Sequence, residues 1–284
     1  MAEPRLRDLM ARGVARLRQS GIATPELDAA LLLGHLLGLG RAALYTWLLD
    51  PAPPDVSLAF DALIERRLRL EPVAYLIGQK EFMGVPFAVN HAVLVPRPET
   101  ELLVEWAQRW LDAHTRPARV VDMGTGSGAI AVALASTRPQ AHIFASDISL
   151  NALSVARSNA QRNHVVERVA FICGDLSSWL GQPVEIILAN LPYLTDAQTD
   201  APDISMEPHG ALAGGGGDGF DLYRILIPQV PQRLVAGGTF AFEIDPSQAT
   251  VARALCEATF ASASVAVHLD LAGLSRFVTV ETSP

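Results

Sequence analysis

Residues 120–128 (VVDMGTGSG) run from apolar, β-prone side chains straight into three glycines at alternate positions, and an alanine-rich apolar stretch follows at once. A strand, a tight turn and a helix in immediate succession make up the first part of a βαβ unit, and the chain beyond repeats the theme. Strands are predicted at about 118–122, 142–147, 168–173, 184–189, 238–244, 265–269 and 275–281. Helices are expected near 128–137, 150–162, 219–234 and 247–259. This alternation predicts an α/β fold: a doubly wound, mostly parallel sheet with helices on both faces. No helical pattern separates the last two strands, which therefore read as an antiparallel edge hairpin.

Ahead of residue 76 the pattern is helical. Leu6, Leu9, Met10, Gly13, Val14 and Leu17 recur at helical spacing, with the arginines mostly off that stripe. Thr24-Pro25 predicts a helix start, an N-cap followed by proline in the first turn, and Gly38 or Gly40 an end. Pro51 closes a short helix over 41–49, and Glu71-Pro72 another over about 56–70. Short connections among four or five helices predict a small bundle over residues 1–75. Between 80 and 95 the period changes to two. EFMG and VPFAVN predict a hairpin turning near Gly84, and VLV at 93–95 a strand that Pro96 stops. The hairpin is expected to serve as a linker, over 76–98, to a domain of residues 99–284 that opens on the amphipathic helix 99–114.

Composition excludes several classes. Of the 284 residues 50% are hydrophobic, which is incompatible with a disordered chain. The longest greasy run, 29–40, is 12 residues long and holds His35. A membrane span needs roughly 20 apolar residues. The start, MAEPRLRDLM, carries Glu3 and Asp8 and lacks the apolar core of a secretory signal. Cys173 and Cys256 form neither a disulfide framework nor a metal-ligand spacing, so a cytoplasmic location is expected. The net charge of −8 lies wholly beyond residue 75, where 13 basic residues face 21 acidic ones. Gripping long nucleic acid takes a basic stripe, and none is visible, so no such partner is expected.

In an open α/β sheet the ligand lies at the carboxyl ends of the strands, where chain order reverses. Gly124, Thr125, Gly126, Ser127 and Gly128 therefore mark a binding loop. Its glycines admit a ligand close to the backbone, and the helix start offers N–H groups to an anion. Two readings compete. Gly124, Gly126 and Ala129 satisfy the dinucleotide fingerprint, with Asp147 about 20 residues further on. Asp122, however, puts an acid where a pyrophosphate gains nothing from it. A third glycine completes D-x-G-x-G-x-G, which resembles the S-adenosylmethionine (SAM) methyltransferases. Asp147, ending the second strand, can accept from both hydroxyls of a ribose or cap the next helix. Asp175, in ICGDL after the third strand, is placed to meet an adenine amino group.

Asn190, Leu191, Pro192 and Tyr193 (NLPY) follow directly on the apolar strand 184–189. The tetrapeptide resembles the N-P-P-Y motif of methyltransferases that modify planar amino or amide nitrogens. Longer blocks resemble the HemK family, glutamine N5-methyltransferases acting on class-1 peptide chain release factors. These are 71–105 with its VPRPETE, 122–136, EPHGALAGGGGDGFDLYR at 207–224, GGTFAFEI at 237–244 and DLAGLSRFV at 270–278. The resemblance implies a class I SAM-methyltransferase fold, a Rossmann-like doubly wound sheet with an antiparallel edge strand, plus a substrate-recognising N-terminal helical bundle. It implies SAM bound by Asp122, the 124–128 turn, Asp147, Asp175, Leu176 and Asn190, and transfer to the Gln of a Gly-Gly-Gln tripeptide. No metal is implied, and a monomer is expected. Leu191 stands where the family carries proline, and Leu176 where it often carries Trp, so a less preorganised loop and looser adenine packing are expected.

An amide nitrogen is a poor nucleophile because its lone pair is delocalised; the rotation barrier of ~18–20 kcal/mol measures that resonance. Acceptors on both N–H groups hold the amide and favour positive charge on nitrogen. The expected acceptors are the Asn190 side-chain oxygen and the Leu191 carbonyl, with Tyr193 packed on the flat amide and Pro192 fixing the turn. No strong base is required, and the seven His show no ligand spacing. Three rivals stay open. An adenine amino-methyltransferase on nucleic acid is disfavoured by the acidic balance. A non-catalytic SAM-binding protein is kept alive by Leu191, and a nicotinamide oxidoreductase lacks an acid/base pair after the loop.

Overall fold

A computed structural model describes residues 4–114 and 116–284; Met1, Ala2 and Glu3, part of the start read above for its acids, and Thr115 lie outside them. The chain divides into two units, one up to Gly78 together with Pro202–Met206, the other Gln79–Ala201 with Glu207–Pro284.

The first unit contains the helices α1 (Leu6–Gln19), α2 (Pro25–Leu37), α3 (Arg41–Trp47), α4 (Pro54–Leu68) and α5 (Val73–Ile77). Leu9 and Leu17 of α1, Leu32 and Leu33 of α2, and Phe60 and Ile64 of α4 bury into one core. Pro25 opens α2 and Gly38 ends it at φ 65°, as the sequence predicts. Thr24 is the N-cap residue, as expected, but its side chain makes no capping hydrogen bond. Its hydroxyl donates to Asp28 Oδ1 at 2.8 Å, and Asp28 in turn pairs with Arg67 Nε at 2.7 Å. Among the described residues no single helix is long and apolar enough to cross a membrane.

The second unit opens on the antiparallel hairpin β1 (Gln79–Phe82) and β2 (Val85–Ala88), followed by α6 (Pro98–Ala113). The hairpin is not a linker but part of this unit. Phe82 and Phe87 meet edge to face at 5.9 Å inside the core that Leu103 and Val104 of α6 also enter. Ala88 is bonded through both N–H and C=O to the Asn159 side chain, at 2.7 and 3.0 Å. Nor is 93–95 a strand. Two prolines follow it, and the Val95 N–H goes to the Glu207 carboxylate at 2.9 Å rather than to a ladder.

Beyond α6 the elements are β3 (Arg119–Met123), α7 (Ala129–Thr137), β4 (His142–Asp147), α8 (Leu150–Arg162), β5 (Val169–Cys173), β6 (Val184–Ala189), α9 (Asp196–Thr199), α10 (Asp221–Leu226), β7 (Leu234–Glu243), α11 (Ala249–Thr259), β8 (Ser264–Leu269) and β9 (Ser275–Glu281). The single helix expected over 219–234 ends at Leu226. Pro228 and Pro231 leave the next turns without N–H donors, and Ile227–Gln232 tightens into a 3₁₀ helix. The seven strands lie in the order β5-β4-β3-β6-β7-β9-β8, parallel as far as β7 and antiparallel at the β9 and β8 edge. Strands with both faces covered read as unbroken apolar runs. Val120, Ile186 and Leu188 point into one apolar layer, Val121, Ile187 and Ala189 into the other. The chain steps from β3 through β4 to β5, then returns to lay β6 on the far side of β3.

Candidate active site

At that reversal a cavity of about 560 Å³ is walled by residues following β3, β4, β5 and β6. Its size is typical of small-molecule sites. The turn after β3 holds Gly124, Gly126 and Gly128 at φ 72°, 54° and 81°. A Cβ on Gly124 would sit 2.8 Å from Leu191 Cδ2, and one on Gly128 would sit 3.0 Å from Ala156 Cβ of α8. Glycine at 124 thus lets the loop after β3 press against the loop after β6. The Gly124 and Thr125 N–H groups both donate to Ser146 O at 2.9 Å, fastening the turn to β4.

Asp147 stands on the cavity wall at the end of β4. Its Oδ2 accepts from the Gly126 N–H and its Oδ1 from the Ser149 N–H, each at 2.9 Å. The cap of α8 is Ser149, whose hydroxyl oxygen accepts from the Ala152 N–H, so Asp147 is free of that duty. Each Asp147 oxygen keeps a further lone pair for a ligand. Asp175 and Leu176 reach the wall after β5, and Leu176 takes a φ of 46°.

Asp122 departs from its expected place. It is fully buried, is not on the cavity wall, and braces the loop from beneath. Its Oδ2 accepts from the Thr125 hydroxyl at 2.6 Å and the Ala131 N–H at 3.2 Å, while Oδ1 has no partner among the described residues. Burial pushes this carboxyl up to about 7, against the pull of those two donors. A strand residue two positions before the first glycine points inward, under the turn. Gly128 also lies off the wall, and Thr125, Gly126 and Ser127 line it.

The loop after β6 brings Asn190, Leu191 and Pro192 to the wall. Tyr193 is not among the wall residues; its hydroxyl donates to Glu243 Oε1 at 2.8 Å. Burial first, then the Glu243 charge, raises the phenol far above its ordinary range, so it stays a donor. Asn190 Nδ2 donates to Thr100 Oγ1 at 3.0 Å, and Thr100 donates to Glu243 Oε2 at 2.7 Å. Gln248, 2% exposed, donates through Nε2 to Tyr193 O and to Asp218 O at 2.8 and 2.7 Å. Val93, Leu94, Pro96, Arg97 and Thr100 add to the wall, as do Pro208 and Gly210, and Glu207 ties the two stretches by taking Arg97 Nη2 at 2.5 Å.

Thr100, Glu243, Gln248 and Glu207 went unread in the sequence. An acid closing the apolar run TFAFE is the signal that points to Glu243; Gln248 carries none.

Residues 8–78 match the family model described as PrmC N-terminal domain, and residues 99–207 the methyltransferase small domain. The chain is 40% identical over 275 residues to the release factor glutamine methyltransferase of Deinococcus radiodurans, covering 96% of this chain and 97% of that one. It is 42% identical over 256 residues to the protein of the same name from Bordetella pertussis, covering 89% and 93%. A solved 16S rRNA methyltransferase of Thermus thermophilus, in complex with AdoMet and guanosine, is 19% identical. It superposes with a TM-score of 0.52 over 72% of this chain and 49% of that chain.

Proposed function

The chain belongs to the release factor glutamine methyltransferase family, and from that premise we propose that it methylates the side-chain amide nitrogen of the Gln in the Gly-Gly-Gln tripeptide of class-1 peptide chain release factors. SAM is its cofactor. The residues present fit it: a turn whose Gly124 and Gly126, both at positive φ, line the cavity, an acid at the end of β4 for a ribose, and the start of α7 for a carboxylate. Asp175 and Leu176 would meet the adenine, and Asp122 would hold the loop rather than touch the ligand.

One observation carries the reading. Asn190 and Leu191 share the wall of a single cavity with the glycine loop and Asp147, an arrangement in which methyl donor and amide would meet in one enclosure. SAM supplies a methyl group already activated on a sulfonium. The chain's own part is to hold the nucleophile. Asn190 Oδ1 accepts one amide hydrogen and the Leu191 carbonyl the other, which keeps the amide in plane and favours positive charge growing on nitrogen. Bound SAM would supply the methyl group, its C–S bond giving way to the new N–CH₃ bond, and one amide proton would leave to water. Holding two reactants in line is worth about 7–11 kcal/mol, so positioning can supply much of the rate. Pro192 keeps the turn rigid, and Tyr193 supports it from behind through Glu243.

The helical unit, with its own core, would recognise the body of the release factor. A monomer in the cytoplasm suits this reading. The rival reading of a nucleic-acid amino-methyltransferase finds no support in the acidic balance beyond residue 75. The test is mass spectrometry of a purified release factor after incubation with this protein and SAM. A single methyl on the Gln of Gly-Gly-Gln is expected; an unmodified peptide under conditions where SAM binds would overturn the proposal.

A further inference from the structure

Asn190 can turn either end of its amide to the cavity, and only the oxygen can accept a hydrogen from a substrate amide. The choice is made behind the loop. Glu243, 2% exposed at the end of β7, accepts from Thr100 Oγ1 at 2.7 Å and from the Tyr193 hydroxyl at 2.8 Å. A hydroxyl has one hydrogen. Thr100 gives its own to Glu243 and so faces Asn190 with lone pairs alone, and Asn190 meets it with Nδ2 at 3.0 Å. The flipped amide would set oxygen against oxygen. With Nδ2 held by Thr100, Oδ1 is the end left to accept from a ligand in the cavity that Asn190 and Thr100 both line.

We infer that Thr100 and Glu243 are positioning residues for methyl transfer: the Glu243 carboxylate fixes the hydrogen of the Thr100 hydroxyl, and Thr100 thereby fixes which end of the Asn190 amide meets the substrate nitrogen. The inference rests on the substrate reading above and deepens it. The three groups come from α6, the loop after β6 and the end of β7, so the register is set by tertiary packing of the first turn of α6 against the sheet.

The arrangement requires an ionised Glu243. Burial pushes its carboxyl above the ordinary range, and the bonds from Thr100 and Tyr193 pull it back. Glu99 of α6 raises it further and Arg276 of β9 lowers it; Tyr223, a buried phenol that stays protonated, and Arg97, which faces Tyr193, complete the titratable and charged surroundings. Once protonated, Glu243 no longer holds both hydroxyl hydrogens, and Thr100 can turn its own toward Asn190. Protonation of Glu243 then frees the Asn190 amide to flip.

The experiment compares Thr100→Val, which keeps shape without the hydroxyl, Thr100→Ser, which keeps the hydroxyl, and Glu243→Gln. Methyl transfer to a release factor, SAM affinity by calorimetry, and the Asn190 side-chain amide resonances of ¹⁵N-labelled protein are followed against pH. Displacing a reacting group from its line of attack costs on the order of 10²-fold. Thr100→Val and Glu243→Gln should therefore lower kcat about 10- to 100-fold with SAM affinity unchanged, while Thr100→Ser retains most of it. In wild type the kcat and the Asn190 resonances should titrate together, with a midpoint above the ordinary Glu range, and Glu243→Gln should abolish both responses. Equal losses in the Ser and Val variants, or Asn190 resonances indifferent to Thr100→Val, would overturn the inference. If wild type methylates no release factor, the substrate reading fails alone, and the Asn190 resonances still decide the positioning of the amide.

Discussion

The backbone N–H of Leu191 donates to the phenolic oxygen of Tyr223 at 3.1 Å, and both residues are buried. Tyr223 in turn donates to Ala189 O at 3.4 Å, so one phenol ties the end of β6 to the first residues of the loop. Leucine at 191 therefore has a partner for the N–H that a proline lacks, and a hydrogen bond holds the loop at this position.

That bond changes what a return to proline should do. A proline at 191 would fix φ and stiffen the turn. In the structure it removes a buried hydrogen bond with a net worth of about 0.5–1.5 kcal/mol, together with the Leu side chain's packing. Denaturation should show a loss of at least that size, while kcat is kept because the Leu191 carbonyl is unchanged. Tyr223→Phe leaves the N–H buried without an acceptor and should cost about 1–3 kcal/mol. The double variant should cost less than the two singles together.

Asn190→Ala removes the side-chain acceptor and leaves the glycine loop and Asp147 in place. Transfer should fall by about 10²–10³, the usual cost of one preorganised polar contact at a reacting centre. SAM binding, read by calorimetry, should survive. Unimpaired turnover would mean that the Leu191 carbonyl alone holds the amide.

Asp147→Ala should weaken SAM by one or two charge-assisted hydrogen bonds, each about 1.5–3 kcal/mol. It also releases the Gly126 and Ser149 N–H groups that the carboxylate holds, so the loop should loosen even without ligand. Faster amide hydrogen exchange at Gly126 in the variant would register that second effect; unchanged SAM affinity would confine Asp147 to it.

Asp122 makes stability depend on pH in a defined direction. Burial raises its carboxyl to about 7. In the unfolded chain an Asp titrates near 3.9. The folded state thus holds this proton more tightly, and the stability it confers is complete below about pH 4 and lost as pH rises through about 7. A gap of roughly three pKa units corresponds to ~4 kcal/mol. Asp122→Asn cannot ionise and keeps an oxygen for Thr125. Urea midpoints taken at about pH 5.5 and about pH 8.5 should differ less in the variant than in wild type.

Removing the chain up to Gly78 should leave SAM affinity intact, because the cavity wall lies wholly within the second unit. The KM for a full-length release factor should rise. Equal efficiency on the release factor would give the helical unit some other role.

The readable parts of this protein are the local ones. Strand–helix alternation, positive-φ glycines after β3, acids ending β4 and following β5, and NLPY after β6 all lie within a few residues of the element they serve, and period and spacing report them. What tertiary structure alone decided is which of these groups face the cavity and what holds them. Asp122 turned under the loop and Tyr193 turned back to Glu243, because a strand end offers two sides and neighbouring elements choose between them. Thr100 and Glu243 stand 143 positions apart, yet share the hydrogen bond behind Asn190. A buried polar group must find a partner, but nothing in its own stretch of chain says where the partner comes from. That is settled only when α6 packs on the sheet and β7 lies down beside β6.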